Sequence, residues 1–256
     1  MGGNEVLYEN RDGVAIITVN SPEKMNALSV PVYDGLLNAF DKVEQDREVR
    51  VVVLTGTGRV FVAGADLKDL PKKGDIQGAR AFLRRFIYFF RRLEKLSKPI
   101  IASVNGLALG GGFEVALYCD MVVSSDKAKF SFPEAGLGII AAFGLLRLHQ
   151  TVGRFKAKEL LMTTDIIGPE EAHRLGIVSK VVPHDELMEK TLALASKIRD
   201  KAPLSIEGIK AGVNRGLGGA DENYLMDAIP IYFNTNDIQE GVRAFIEKRR
   251  PEFKGC

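Results

Sequence analysis

The sequence predicts an α/β fold with a mainly parallel sheet and a helical C-terminal region. Three observations carry this. Short β-branched runs alternate with amphipathic helical segments up to Val182, the order expected of a sheet whose strands are joined by crossover helices. The run Val49 to Leu54 is apolar at nearly every position, as in a strand buried on both faces. From Asp185 onward strand signals cease and only helical patterns remain.

Taken in order, Val14 to Val19 is a strand closed by the turn residues Asn20-Ser21-Pro22. Ser29 stands as an N-cap before a helix whose apolar positions Val32, Leu36, Leu37, Phe40 and Val43 share one face. After the Val49 to Leu54 strand, Thr55-Gly56-Thr57-Gly58 makes a turn, and the chain continues as VFVAGADL. Gly64 there marks a second turn feeding a helix. Lys72-Lys73-Gly74-Asp75 is a polar, mobile insertion. A helix follows over Ala79 to Leu96, with Phe82, Phe86, Phe89, Leu93 and Leu96 on its apolar stripe. Arg84, Arg85, Arg91 and Arg92 lie mostly off that stripe and read as a solvated face rather than a phosphate or RNA contact.

Pro99 to Asp120, PIIASVNGLALGGGFEVALYCD, organises the rest. An apolar strand delivers three glycines, Gly110 to Gly112, to the start of a helix that carries Glu114 among apolar neighbours. Bare backbone N–H groups at such a turn let a ligand approach closely. With the strand Met121 to Ser125, Ile100 to Ser125 forms a β–α–β unit with parallel pairing. A brief strand Lys129 to Phe132 ends at Pro133-Glu134, and a loop leads to a helix around Leu145 to Val152. Beyond it come Lys156 to Thr163, a helix opened by Pro169, and a last strand Ile177 to Val182. The tail reads as helices over Leu187 to Ile198, Leu204 to Arg215, Glu222 to Phe233 and Asp237 to Lys248. The division expected is an α/β core over 1–198 and a helical region over 199–256. Helices without a sheet of their own must cover their apolar faces with the core or with another subunit, so an oligomer is expected.

Composition removes several function classes. With 35 basic and 33 acidic residues the 256-residue chain carries a net charge of +2, which offers no electrostatic pull toward nucleic acid or anionic membrane. Cys119 and Cys256 form no metal spacing, and a reducing, cytoplasmic setting is expected. MGGNEVLYEN has neither signal- nor transit-peptide character. The apolar run Gly136 to Leu146 is too short to span a bilayer. There is no GxGxxG, P-loop or GxSxG motif. His149, His173 and His184 stand apart without second ligands.

What remains is a combination. Two glycine turns after buried strands, at Gly64-Ala65 and Gly110 to Gly112, each present a backbone N–H, and two such donors on one oxygen make an oxyanion hole. Glu114 and Glu134 follow in order, two carboxylates able to exchange a proton with water or with a carbon beside that carbonyl. Burial of Glu114 is expected to raise its pKa toward that of a general acid or base.

VFVAGADL, ASVNGLALGGGFEVALYCD, FSFPEAGLG and AFIEKRRPEF, in this order from Val14 to Phe253, resemble the crotonase (enoyl-CoA hydratase/isomerase) superfamily. The resemblance implies a crotonase-like spiral of ββα units with a C-terminal helical region that builds trimers, often paired as hexamers. By position, Ala65 and Gly111 match the oxyanion donors to a thioester carbonyl. Glu114 and Glu134 match the glutamate pair of the family's hydratases, Glu134 exchanging a proton at the α-carbon and Glu114 activating water. Ala63, Gly64, Ala65, Asp66, Leu67 and Lys68 match the segment along the bound acyl-CoA, and Lys248 matches a lysine that reaches coenzyme A phosphate. No cofactor is implied, coenzyme A being part of the substrate. Keeping both glutamates favours hydration or its reverse. The alternatives in the same fold are an isomerase, a cyclic dienoyl-CoA hydratase, a hydrolase or a non-catalytic RNA-binding member. Where many hydratases read IPGxGGTQRL, this chain reads Ile140-Ala141-Ala142-Phe143-Gly144-Leu145-Leu146-Arg147-Leu148, one residue shorter. Phe113 is also bulkier than its usual counterpart. Both changes point to a specialised acyl chain, cyclic or branched among the options.

Overall fold

The computed structural model describes residues 5–71, 75–215 and 235–256. Its main sheet has six strands in the order β1-β2-β3-β5-β7-β9. They are β1 (Val6–Arg11), β2 (Val14–Val19), β3 (Val51–Gly56), β5 (Ile100–Val104), β7 (Met121–Ser125) and β9 (Lys180–Val182). β1 pairs antiparallel with β2, and every other pairing in the sheet is parallel. A second, parallel sheet contains β4 (Val60–Val62), β6 (Leu107–Leu109) and β8 (Lys129–Ser131).

Three successive units, β3-β4, β5-β6 and β7-β8, each give one strand to the large sheet and the next to the small one. The first two are followed by helices, α2 (Ile76–Lys95) and α3 (Gly111–Tyr118), while α1 (Val30–Gln45) follows β2. The chain thus advances as the expected spiral of ββα units. The expected parallel unit Ile100 to Ser125 is present, with Ile101 opposite Met121 and Val104 opposite Ser124.

The apolar strands are continuous because the large sheet is covered on both faces. Val52, Leu54, Ile100, Ala102 and Val122 point into the main core, shared with α1, α2 and α3. Val51, Val53, Ile101 and Val123 point the other way, onto Leu187 and Ala195 of α7 (Leu187–Arg199). Alternation with period two is what a pleated strand requires. The remaining α-helices among the described residues are α4 (Ala142–Val152), α5 (Arg154–Thr163), α6 (Pro169–Arg174), α8 (Pro203–Arg215) and α9 (Asn236–Glu247).

Several sequence expectations shift. β1 and the short strands β4 and β6 carry no clear pattern, and α4 begins three residues before the expected Leu145. Ser29 does hold the N-cap position of α1, but its side chain makes no capping hydrogen bond. The expected boundary at 198/199 falls in the last turn of α7, a helix that packs on the sheet. α8 is tied back to the core by Lys210, whose Nζ lies 2.9 Å from Asp120 Oδ2 and donates to Lys98 O at 3.2 Å. The expected helix Glu222 to Phe233 and the insertion residues Lys72, Lys73 and Gly74 lie outside the described residues.

Candidate active site

The site lies beyond the C-terminal ends of the three strands of the small sheet. β4 runs into Ala63 and Gly64, where the backbone turns at φ +92, and Leu28 N–H donates to Gly64 O at 2.7 Å, pinning the turn to the entrance of α1. β6 runs into Gly110, whose φ of +52 and ψ of −122 suit glycine, and whose N–H donates to Ser131 O of β8 at 2.9 Å. The two turns touch. A Cβ on Gly64 would sit 3.2 Å from Gly111 N, and one on Gly111 would sit 3.6 Å from Ala65 N. No acceptor among the described residues takes the Ala65 or Gly111 N–H. Two unclaimed donors, brought together by two glycine turns, are suited to hold one developing oxyanion.

Glu114 sits in the first turn of α3 and is only 4% exposed. One of its oxygens, Oε1, accepts hydrogen bonds from two backbone N–H groups, Phe143 at 2.9 Å and Gly144 at 2.8 Å. Both belong to the first turn of α4, where N–H groups have no partner inside the helix. Burial lifts the Glu114 carboxyl to about 7; the charge of Glu134 adds to the rise, and the Gly144 and Phe143 N–H groups oppose it. Glu134 lies in the turn after β8, with a Cβ on Gly110 set to fall 2.6 Å from its Oε1. Burial also raises its pKa. Its Oε2 is buried and has no hydrogen-bond partner among the described residues. That orphaned oxygen faces a high desolvation cost unless a ligand or water completes it.

A cleft of about 130 Å3 joins these groups. Ala63, Gly64, Ala65, Leu67, Gly111, Glu114 and Glu134, all singled out from sequence, line it together. Asp66 and Lys68 do not: Asp66 caps the short 3-10 turn Leu67–Asp69 by accepting from Lys68 N at 3.0 Å. Lys248 lies exposed in a left-handed turn (φ 53) after α9, away from the cleft lining. The three histidines are engaged elsewhere, His149 with Leu145 O, His173 with Val178 O and His184 with Ser125 Oγ.

Phe113 needs a correction. Its bulk does not reach the cleft; it is buried in the core, stacked on Phe132 at 4.4 Å between centroids and packed on Phe130 at 5.2 Å. Successive residues of a helix point in different directions, and Glu114 takes the direction of the cleft. Sequence reasoning also missed the two N–H groups that hold Glu114. The signal was Gly144, read as loop although it stands inside α4: a Cβ there would meet Phe132 Cε1 at 2.8 Å, so the close approach of α4 requires glycine.

The model of the enoyl-CoA hydratase/isomerase family matches residues 9–256. The chain is 41% identical over 254 residues to a short-chain-enoyl-CoA hydratase of Clostridium acetobutylicum, covering 97% of each chain. It is 38% identical over 258 residues to a crotonyl-CoA hydratase of Syntrophomonas wolfei, covering 99% of each. The crystal structure of an enoyl-CoA hydratase from Bacillus anthracis superposes with a TM-score of 0.93 at 33% identity, over 98% of this chain and all of that one. By the family model, the identity to these relatives and the shared fold, the chain belongs to the enoyl-CoA hydratase/isomerase family.

Proposed function

We propose that the protein hydrates 2-enoyl-CoA thioesters, adding water across the double bond next to the thioester, and catalyses the reverse dehydration. The observation that carries this reading is the glutamate pair in one cleft, Glu114 buried and Glu134 half-buried, beside the unclaimed Ala65 and Gly111 N–H groups.

In this reading the thioester oxygen accepts from both N–H groups, which polarises the conjugated system and stabilises the enolate that forms when C3 is attacked. A water held between the carboxylates loses a proton to Glu114 as its oxygen bonds to C3, and Glu134 delivers a proton to C2 as the enolate collapses. Protons balance: one passes from water to Glu114, one from Glu134 to carbon, and exchange with solvent resets the pair. The chemistry needs one carboxylate ionised and the other protonated. Burial raises the pKa of both groups, and the charge of Glu134 adds to the rise at Glu114.

Coenzyme A enters as part of the substrate, and the reaction calls on no further cofactor. The reading extends to assembly: exposed apolar residues Ile140, Leu146, Phe155, Met162 and Ile166 on and around α4 and α5 suit burial between subunits, in support of the trimer or hexamer expected from sequence. Lys248 would then serve coenzyme A at a neighbouring subunit's site. No helix among the described residues is long and apolar enough to cross a membrane; the cytoplasm is the proposed site of action.

The test is direct. Purified protein should remove the conjugated absorbance of crotonyl-CoA, and in isotopically labelled water the product should carry solvent oxygen at C3, which isomerisation would not give. Glu134→Gln should slow the reaction by about a hundred- to ten-thousandfold. Absence of hydration across an acyl-CoA panel would sink the assignment.

A further inference from the structure

Three turns that carry no catalytic residue meet at the start of β4. They follow β2, β3 and β5 and contain Asn20-Ser21-Pro22, Thr57-Gly58 and Asn105-Gly106. Asn26 joins them. It is fully buried, its Oδ1 accepts from Ser21 N–H at 2.9 Å, and its Nδ2 donates to Thr57 O at 3.0 Å and to Val60 O at 2.7 Å. Asn105 Nδ2 donates to Gly58 O at 2.9 Å and, more weakly, to the same Val60 O at 3.4 Å. The packing leaves no slack: a Cβ on Gly56 would strike Val60 O and sit 2.8 Å from Asn26 Nδ2, and one on Gly106 would strike Arg59 O. Two side-chain amides on one carbonyl fix where β4 begins.

The same segment fixes the far end of that stretch. Met25 and Asn26 both adopt the left-handed conformation, at φ +55 and +54, and the chain then runs so that Leu28 lies beside Ala65 in a parallel bridge. Leu28 N–H donates to Gly64 O at 2.7 Å, and Leu28 Cδ1 lies 3.3 Å from where a Cβ on Gly111 would stand. Residues 26–28 therefore hold the Val60 to Ala65 stretch at both ends and touch both glycine turns. Gly64 O and Ala65 N–H belong to one peptide unit, and in a trans peptide they point in opposite directions. Anchoring Gly64 O to Leu28 thus aims the Ala65 N–H away from Leu28, on a residue that lines the cleft.

We infer that Asn26 is a positioning residue for the oxyanion hole: its amide, through Val60 O at one end and the Leu28–Gly64 hydrogen bond at the other, sets where the Ala65 N–H stands and points. The inference rests on the hydratase reading above, in which that N–H binds the thioester oxygen. Asn26 is not on the cleft lining, and its hydrogen bonds reach neither Glu114 nor Glu134. It acts only through the strand it holds. Oxyanion donors work within a few tenths of an ångström, and a misplacement of about 1 Å can cost about a hundredfold in rate. Freeing Val60 O lets β4 shift, and the Ala65 donor is then lost where it matters most, to the enolate.

The deciding substitution is Asn26→Gly, because glycine adopts the left-handed backbone freely and only the amide is removed. For crotonyl-CoA hydration, kcat should fall by about tenfold to a hundredfold with KM changed by less than about threefold. The pH dependence of the remaining kcat should keep its wild-type midpoints, since the glutamates are not moved. The direct readout is the infrared band of an isotopically labelled thioester carbonyl in bound butyryl-CoA, a saturated analogue that cannot be hydrated. In the wild type, hydrogen bonding should move this band to lower frequency than in water. Asn26→Gly should lose about half or more of that shift, whereas a role confined to stability would leave it in place. Asn105→Ala releases the weaker hold on Val60 O and should give the same changes at smaller size; if Asn26→Gly does not fold, an unchanged kcat and band in Asn105→Ala overturn the inference. Wild-type kcat in folded Asn26→Gly, a loss confined to KM, or an unmoved carbonyl band overturns it and leaves the hydratase reading intact. A wild type inert on every enoyl-CoA overturns the hydratase reading, and the butyryl-CoA band then still decides on Asn26. A wild type that binds no acyl-CoA overturns both.

Discussion

Replacing Glu114 by Gln should make the protein more stable and nearly inactive, and the stabilisation should depend on pH in a defined way. Glu114 is buried, with its carboxyl lifted from an ordinary 4.5 to about 7. Below pH 4.5 the group is protonated in folded and unfolded chains alike and contributes nothing. Between 4.5 and 7 the unfolded chain releases its proton while the folded chain retains it, so native stability falls as pH rises. Above 7 the cost is complete and amounts to about 3 kcal/mol, the free-energy equivalent of that rise in pKa. A Gln side chain keeps an oxygen for the Phe143 and Gly144 N–H groups and carries no charge to desolvate. At pH 8 the variant should therefore unfold about 3 kcal/mol later in denaturant, or about 6–12 °C higher in temperature, and at pH 4.5 it should match the wild type. Hydration should fall by about a hundredfold or more. Paired urea melts at the two pH values, with crotonyl-CoA assays alongside, check both. A Gln variant no more stable than wild type at pH 8 would refute the claim that the fold holds Glu114 at a cost.

Two other substitutions probe the frame of the site. Gly110→Ala should cost about 1–3 kcal/mol of stability from a backbone conformation that side-chain-bearing residues rarely adopt and should reduce activity far more than that strain implies. The reason is that the new Cβ falls 2.6 Å from Glu134 Oε1 and must push the carboxylate aside; circular-dichroism melts and turnover on one preparation separate the two effects. Lys210→Met should destabilise the fold by about 3–5 kcal/mol by stranding Asp120, whose pKa burial already raises despite the ion pair. Asp120→Asn in the same chain should recover part of that loss in denaturant melts, and no recovery would show that the pair is not what ties α8 down.

The parts of the fold that were legible in sequence are those whose apolar patterns are long. β3 and β5 announce themselves because two cores, on opposite faces of one sheet, make most positions apolar. β4 and β6 have three residues each, too few to show a period, and β1 at the sheet edge mixes Tyr8, Glu9, Asn10 and Arg11 with apolar residues. Within the site, Gly110 to Glu114 and the Gly64 turn were visible because glycine at a strand end and a lone carboxylate in an apolar helix are local signals. The contact between Glu114 and the first turn of α4 was not. It joins residues 29 and 30 positions apart, and the residues that supply it contribute backbone atoms that no side-chain pattern encodes.

That contact also explains why the altered loop after Glu134 is compatible with two-carboxylate chemistry. What Glu114 needs from Ile140 to Gly144 is a helix start close enough to offer two N–H groups, a requirement on backbone path rather than on a particular side chain. The path is met here with glycine at only one point, Gly144, where Phe132 leaves no room for a Cβ. Phe132 is itself stacked on Phe113 of α3. The bulky Phe113 and the unusual loop are therefore not two separate departures. They belong to one packed column, Phe113 to Phe132 to Gly144, that sets the distance between α3 and α4 and hence the seat of Glu114. Side chains along the loop are released from that duty: Phe143 gives its backbone N–H to Glu114 while its ring stacks on Phe90.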